Sequence, residues 1–297
     1  MKPTSRIQSY LMITLCYILA ALIGIWVFTL LPTDFWLSLL IADLTATLFI
    51  WIASLILRNA SVYDPYWSVQ PPIILALVLL FWGKAEIGSI LLVLAIAFWG
   101  TRLSINWMIT FPGLHQQDWR YDQLKRQSGR FFPLVNLFGI QVMPTLIVYA
   151  CLLPGFYYLR LGGGMNLGVI IGLLLILGGA ILELIADRQM QTFRNQVQDR
   201  TQLIRTGVWR HSRHPNYLGE ITVWWGVYLV LLSAYPAYWY LGFGALANTC
   251  LFLFISIPLA DKHLATYKTG YKAYRRETRM VLFPDPLRPI IPRASPR

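Results

Sequence analysis

The sequence predicts an all-α bundle of about eight membrane-spanning helices, with seven as the alternative, around a cavity that faces the cytoplasm. Three observations predict it. The 297 residues are 57% hydrophobic and 13% charged, where a soluble domain carries about 25% charged residues. Apolar runs of about 20 residues, the length that crosses hydrocarbon, recur along the chain. The cations are also one-sided. Of 25 Lys and Arg, only Lys84 and Arg160 fall in loops on one side and Arg102 lies inside a span, which leaves 22 on the other face. Such an excess marks the cytoplasmic side and puts both termini there.

In order, the apolar runs fall at roughly 10–31, 35–57, 69–82, 87–109, 131–159, 165–187, 216–234 and 238–260. The first follows Lys2 and Arg6 as a signal peptide would, but it is long enough to span and lacks a small-residue cleavage pattern, so it reads as a retained span. Pro32 ends it and Arg58 ends the second. The third is short and opens on Pro71 and Pro72, which should break helical hydrogen bonding and line a cavity. Treating it as re-entrant gives seven spans but carries later basic loops across the membrane. The fourth stops before Pro112, and the fifth should kink near Pro144. The polar stretch 188–210 reads as a helical extension of the sixth span, followed by a turn at Gly207. Tyr121, Leu124, Lys125 and Arg126 suggest an interfacial helix before span five. Tyr267, Tyr271 and Tyr274, interleaved with cations, suggest another after span eight.

Composition also excludes. A net charge of +12 would suggest nucleic acid in a soluble protein. Here the cations mark loops, and no nucleic-acid partner is expected. Cys16, Cys151 and Cys250 are too widely spaced for a disulfide framework or a zinc site, and the four histidines do not sit at metal-ligand spacing, so no metal is expected. Neither a Gly-rich strand-to-helix motif nor a Walker A sequence occurs.

An ionisable group inside a span costs at least ~2.5–3.5 kcal/mol and points to function. Glu183 and Asp187 are four apart on span six, with Arg194 seven further on, so the three share a helical face. They read as a ligand-facing row or as a ladder of helix-packing salt bridges. Arg210, Arg213 and His214 precede Pro215, Asn216 and Tyr217 at the start of span seven, and Glu220 lies one turn deeper than Asn216. A helix start beneath clustered cations suits an anion such as a diphosphate. Asn216 and Glu220 would then meet an amide or hydroxyl below it. Arg102 and Asn106 are four apart near the same end of span four. Asp64, beside Tyr66 in SVYDPYWSVQPP, is either an acid in a cavity or a helix cap. Asp43 and Asn248 read as packing groups.

HSRHPNYLGEITVWWG, with LIRTGVWR and ADRQMQTFR before it, resembles the steroid 5α-reductase-like family of integral-membrane enzymes, in its bacterial branch long catalogued as a domain of unknown function. YDPYWSVQPP and DWRY are similar to the same branch. The resemblance covers roughly 60–285 of a single membrane domain. It leaves 1–60 as variable first spans, 61–285 as a reductase-like core and 286–297 as a Pro/Arg-rich tail. It implies a bacterial inner membrane, with the endoplasmic reticulum as the alternative. It implies NADPH-dependent reduction of a carbon–carbon double bond conjugated to a carbonyl, in a lipophilic, steroid- or isoprenoid-like substrate that enters from the bilayer. In the family's pattern Asn216 and Glu220 contact the cofactor, Asp187 and Arg194 contact phosphate or ribose, and Arg102 and Asn106 contact the nucleotide. His263 and Tyr267 match by position. The family grips the substrate carbonyl with a Glu and a Tyr some 30 residues later. This chain has no Tyr between Tyr66 and Tyr121, and Asp64 with Tyr66 are the candidates for that role. Membrane methyltransferases that use S-adenosylmethionine carry a similar RHPxYxG run and give the alternative, and a non-enzymatic lipid or metabolite transporter a third.

Overall fold

Where water is excluded, a chain must satisfy its own backbone hydrogen bonds, and helices do this within one segment. The computed structural model describes residues 5–281, and eight of its helical segments are long and apolar enough to cross a membrane. The 286–297 tail lies outside the described residues. The helices are α1 (Arg6–Leu30), α2 (Phe35–Ile56), α3 (Tyr66–Trp82), α4 (Ile87–Thr110), α5 (Trp119–Ser128), α6 (Phe132–Val135), α7 (Met143–Leu161), α8 (Leu167–Gln196), α9 (Pro215–Ala234), α10 (Phe243–Leu251), α11 (Ile257–Tyr267) and α12 (Tyr271–Glu277). Spans five and eight are composite, running over 119–161 and 236–267. Exposed Leu22, Trp26, Leu80, Phe81, Leu94 and Leu174 give the bundle an apolar exterior, as a lipid-facing surface requires. The chain is a multi-pass membrane protein.

The prolines behave in two ways. Pro71 and Pro72 do not break the third span, contrary to the expected unwound backbone, for α3 runs through both. Gly100 of α4 explains the tolerance. A Cβ there would stand 2.3 Å from the Ser68 carbonyl oxygen and 3.1 Å from Pro72 Cγ, so α4 packs directly on the proline turn. The fifth span does change its winding. A π-helical stretch, Asn136–Val142, ends two residues before Pro144, and a second, Phe252–Ser256, ends two residues before Pro258. A proline ring collides with the carbonyl four residues back, and a widened turn relieves it.

The core lies between α3, α4, α7, α8 and α9, around Trp99, Trp224, Phe156, Leu152 and Ile96. The tightest pairing is α8 against α9. A Cβ on Gly219 would stand 2.6 Å from the Gly179 carbonyl oxygen, and one on Gly226 would stand 2.7 Å from that of Gly172. Two antiparallel helices thus touch backbone to backbone through glycines seven apart, the small-residue packing that membranes favour. This contact brings the acids of α8 against the start of α9. The helical extension of the sixth span stops at Gln196, short of the expected run to Gly207, which at φ 59 opens a 3-10 turn before α9 as expected.

Candidate functional site

At the basic ends of α4, α8 and α9, the candidate residues form a buried cluster. Arg102 of α4 reaches across to α8, where its guanidinium bonds Glu183 Oε2 through Nη2 and Asp187 Oδ2 through Nη1, the latter at 3.0 Å. Arg102 is 5% exposed and Glu183 3%. Asp187, one turn nearer the basic side, opens further, its side chain 18% exposed. Glu220 of α9 is buried and held at both oxygens. Trp99 Nε1 donates to Oε2 at 2.9 Å and Trp224 Nε1 to Oε1 at 2.6 Å. Gly219 stands so close to Glu183 that a Cβ would come within 2.4 Å of its Cγ. Asn106, one turn above Arg102, accepts from Gln191 of α8.

Two polar atoms in this cluster are sealed from solvent and have no partner, Arg102 Nε and Glu183 Oε1. One is a donor and the other an acceptor. Leaving both unmet costs roughly 1–3 kcal/mol each. The Asn216 side chain is half-buried one turn above Glu220, and no hydrogen bond of its amide is found among the described residues. Arg194 and Arg210 are exposed at the rim, where Arg194 acts electrostatically on Asp187. Among the described residues there is no group of acids, histidines and cysteines that could hold a metal ion.

Arg213 and His214 stand apart from that cluster. Both are buried, at 2% and 4% exposure, and both bind Asp261 at the end of the eighth span. Arg213 Nη2 lies 3.1 Å from Asp261 Oδ2, and His214 Nε2 lies 2.7 Å from Oδ1. Tyr271 donates to the same Oδ1, and Arg213 also donates to the Thr278 carbonyl at 2.6 Å. Burial holds the His214 imidazole below its ordinary pKa, against the pull of Asp261. Burial and the Asp261 hydrogen bond push the Tyr271 phenol up. This knot ties the loop before α9 to α11 and α12. Tyr217 stacks on His214 and packs on Phe252. His263 stacks on Trp119 with ring centroids 3.6 Å apart, joining α11 to α5, and Tyr267 is exposed beside it.

The structure parts Asp64 from Tyr66. Asp64 accepts from Tyr121 of α5, near the basic surface. Tyr66 turns the other way, its hydroxyl 3.4 Å from Asp43 Oδ1, while Gln70 Nε2 donates to Asp43 Oδ2 at 3.1 Å. Asp43, Tyr66 and Gln70 border a cavity of ≈390 Å³ between α1, α2 and α3 whose other walls are mostly apolar.

Sequence reasoning passed over Trp99, Trp224, Gln191 and Gln70, and took Asp43 for packing. The signal was helical spacing. Trp99 is three before Arg102, Trp224 four after Glu220, and Gln70 four after Tyr66, so each pair shares a face.

No solved structure matches the chain. A curated relative, the uncharacterized protein C594.04c of Schizosaccharomyces pombe, is 27% identical over 207 residues, which cover 61% of this chain and 60% of the relative. The chain therefore matches about 60% of that relative's length. A family model described as protein of unknown function (DUF1295) matches residues 50–278. That match runs from the last turns of α2 to just past α12 and takes in the whole α4–α8–α9 cluster, so the chain belongs to the DUF1295 family.

Proposed function

We propose that this protein is a membrane-embedded, NADPH-dependent reductase of a carbon–carbon double bond conjugated to a carbonyl in a lipophilic substrate. One observation carries the reading. A buried polar cluster with an unmet donor and an unmet acceptor lies directly beneath exposed arginines at one membrane face. A dinucleotide has that polarity, with phosphates at one end and a ring bearing a carboxamide at the other. The residues fit it in kind. Arg194 and Arg210 at the rim suit phosphates, since arginine forks match phosphate oxygens. Asn216 and the Arg102–Glu183 pair suit an amide and hydroxyls below. The likeness of the RHPNYLGE run to steroid 5α-reductase-like enzymes points the same way, and the basic face is then the cytoplasmic one.

When bound, NADPH supplies a hydride to the β-carbon of the conjugated double bond. The chain supplies the rest. The Tyr66 hydroxyl, at the head of the α1–α3 cavity, donates to the substrate carbonyl as negative charge develops there. Asp43 and Gln70 hold that corner, and Tyr66 or water returns a proton to the α-carbon. The apolar walls admit an apolar body and exclude water. Asp64, bonded to Tyr121, is not part of that corner.

S-adenosylmethionine-dependent methyl transfer is a second reading. It draws on the acids of the cluster, since a sulfonium is a cation. Thermal melting of the detergent-purified protein separates the two. NADPH should raise Tm, and NADH should do so less, because only NADPH carries a 2′-phosphate for arginine. Glu220→Ala should weaken the NADPH effect. Stabilisation by S-adenosylmethionine alone would overturn the reductase in favour of the methyltransferase. No response to any of the three would leave a transporter or scaffold.

A further inference from the structure

The α1–α3 cavity is apolar along its length and polar at one corner. Tyr66, Gln70, Ile73, Leu77 and Phe81 line it at steps of three and four, so one face of α3 forms a continuous wall. From Tyr66 to Phe81 that wall is roughly 22 Å long, most of the way across the hydrocarbon of a bilayer. A volume of ≈390 Å³ spread over such a length makes a narrow channel. It suits one extended chain, whereas a fused-ring body is shorter and broader.

The corner has a definite hydrogen-bonding sense. Gln70 Nε2 donates to Asp43 Oδ2 at 3.1 Å, which fixes the amide and leaves Oε1 on its other side. Among the described residues Oε1 has no hydrogen bond, and it is not one of the atoms sealed from solvent, so it is an acceptor open to the cavity. The Tyr66 hydroxyl is a loosely held donor, 3.4 Å from Asp43 Oδ1. The other hydroxyls on the walls, those of Tyr17 and Thr29, donate to the carbonyls of Val62 and Trp26 at 2.6 and 2.7 Å. The cavity therefore presents one donor and one acceptor, four residues apart on one helical face. A carbonyl answers only the donor. A ligand that covers Gln70 without a donor of its own leaves a desolvated acceptor unmet.

We propose that the α1–α3 cavity takes a single-chain lipid whose carbonyl carries an adjacent hydroxyl or N–H, with Tyr66 meeting the carbonyl and Gln70 Oε1 accepting from the neighbouring donor. The inference rests on the reductase reading for the role of Tyr66 and deepens it by naming the class of substrate. Gln70 is then a specificity-determining residue. It favours a head that bears a donor over the same chain without one, and the channel favours a chain over rings. The chain lies along α3 with its tail toward Phe81 and Trp82.

Binding of hexadecanamide and N,N-dimethylhexadecanamide to the full-length protein in lipid nanodiscs tests this. Both have the same chain and a carbonyl, neither has a double bond to reduce, and only the first has N–H donors. Corrected for partition into protein-free nanodiscs, the wild type should hold hexadecanamide at least roughly tenfold more tightly. Gln70→Met, similar in length and without the acceptor, should bring that ratio close to unity. Ile73→Trp fills the channel one turn on, at a position 45% exposed, and should weaken both amides alike. It carries the test if Gln70→Met fails to fold. A fused-ring enone such as progesterone should displace hexadecanamide poorly, and displacement at equal concentration would overturn the assignment of a chain. Equal affinities in the wild type, a ratio that Gln70→Met leaves unchanged, or binding that Ile73→Trp does not weaken would overturn the inference while the reductase reading stood. NADPH titration of the same samples reads the other side. Discrimination between the amides with no NADPH binding would remove the reductase and leave the preference of the cavity in place.

Discussion

Two buried knots of Arg and carboxylate lie at the same face of the bundle, and they are built to different ends. In the Asp261 knot a single carboxylate is surrounded by donors. Arg213, His214 and Tyr271 all reach it, and it joins three segments. In the Arg102 cluster the proportion is reversed, with several acids to one guanidinium and two polar atoms unmet. A knot with its acid fully engaged is a fastening. A cluster short of partners has room for one. The comparison moves Arg213 and His214, expected at the rim as phosphate ligands, into a structural joint, and leaves Arg194 and Arg210 as the exposed cations.

The largest effect should come from breaking the fastening. Asp261→Ala removes the carboxylate shared by Arg213, His214 and Tyr271. A broken buried pair typically costs about 3–5 kcal/mol, so the variant should melt far below the wild type. A Tm near that of the wild type would show that the knot is not a joint. In the open cluster, Trp99→Phe removes one N–H from Glu220 and leaves a buried carboxylate oxygen short of a donor. The expected cost is about 2–3 kcal/mol in unfolding, with weakened NADPH binding. The same loss of stability with unchanged binding would separate Glu220 from the ligand.

Gly219→Ala tests how the two helices hold the cluster in place. A Cβ there meets the Gly179 carbonyl and Glu183, so α8 and α9 must part slightly, at about 1–2 kcal/mol. Gly178→Ala, where a Cβ meets nothing within 4 Å, is the control and should be nearly neutral. The smallest effect concerns pH. Burial lowers the His214 pKa in the folded state. Its contribution is therefore present above the unfolded imidazole value of roughly 6.5 and is lost as pH falls through the lower folded value. Tm should decline over that acid range, and His214→Gln should flatten the decline. An equally steep decline in His214→Gln would assign it to another group.

Local pattern made much of this legible. The pairs Glu183/Asp187, Asn216/Glu220 and Arg102/Asn106 were visible because helical spacing places residues four apart on one face, whatever lies opposite. Asp64 and Tyr66 went astray for the same reason. Two residues apart on a turn leading into a helix, they point away from each other, and each found its own partner, Tyr121 or Asp43. Pro71 and Pro72 misled because their cost depends on what packs beside them, and Gly100 lies 29 and 28 residues further along the chain.

By itself the sequence determined the all-helical architecture of about eight spans and the concentration of cations in one set of loops. Hydrocarbon length, backbone hydrogen bonding and charge asymmetry act locally along a chain and do not depend on which helices meet. Only the tertiary structure decided which acids face which cations. Asp261 met Arg213 and His214, while Arg102 met Glu183 and Asp187. That choice depends on the glycine-to-glycine approach of α8 and α9 and on the crossing of α4, contacts between residues far apart in sequence.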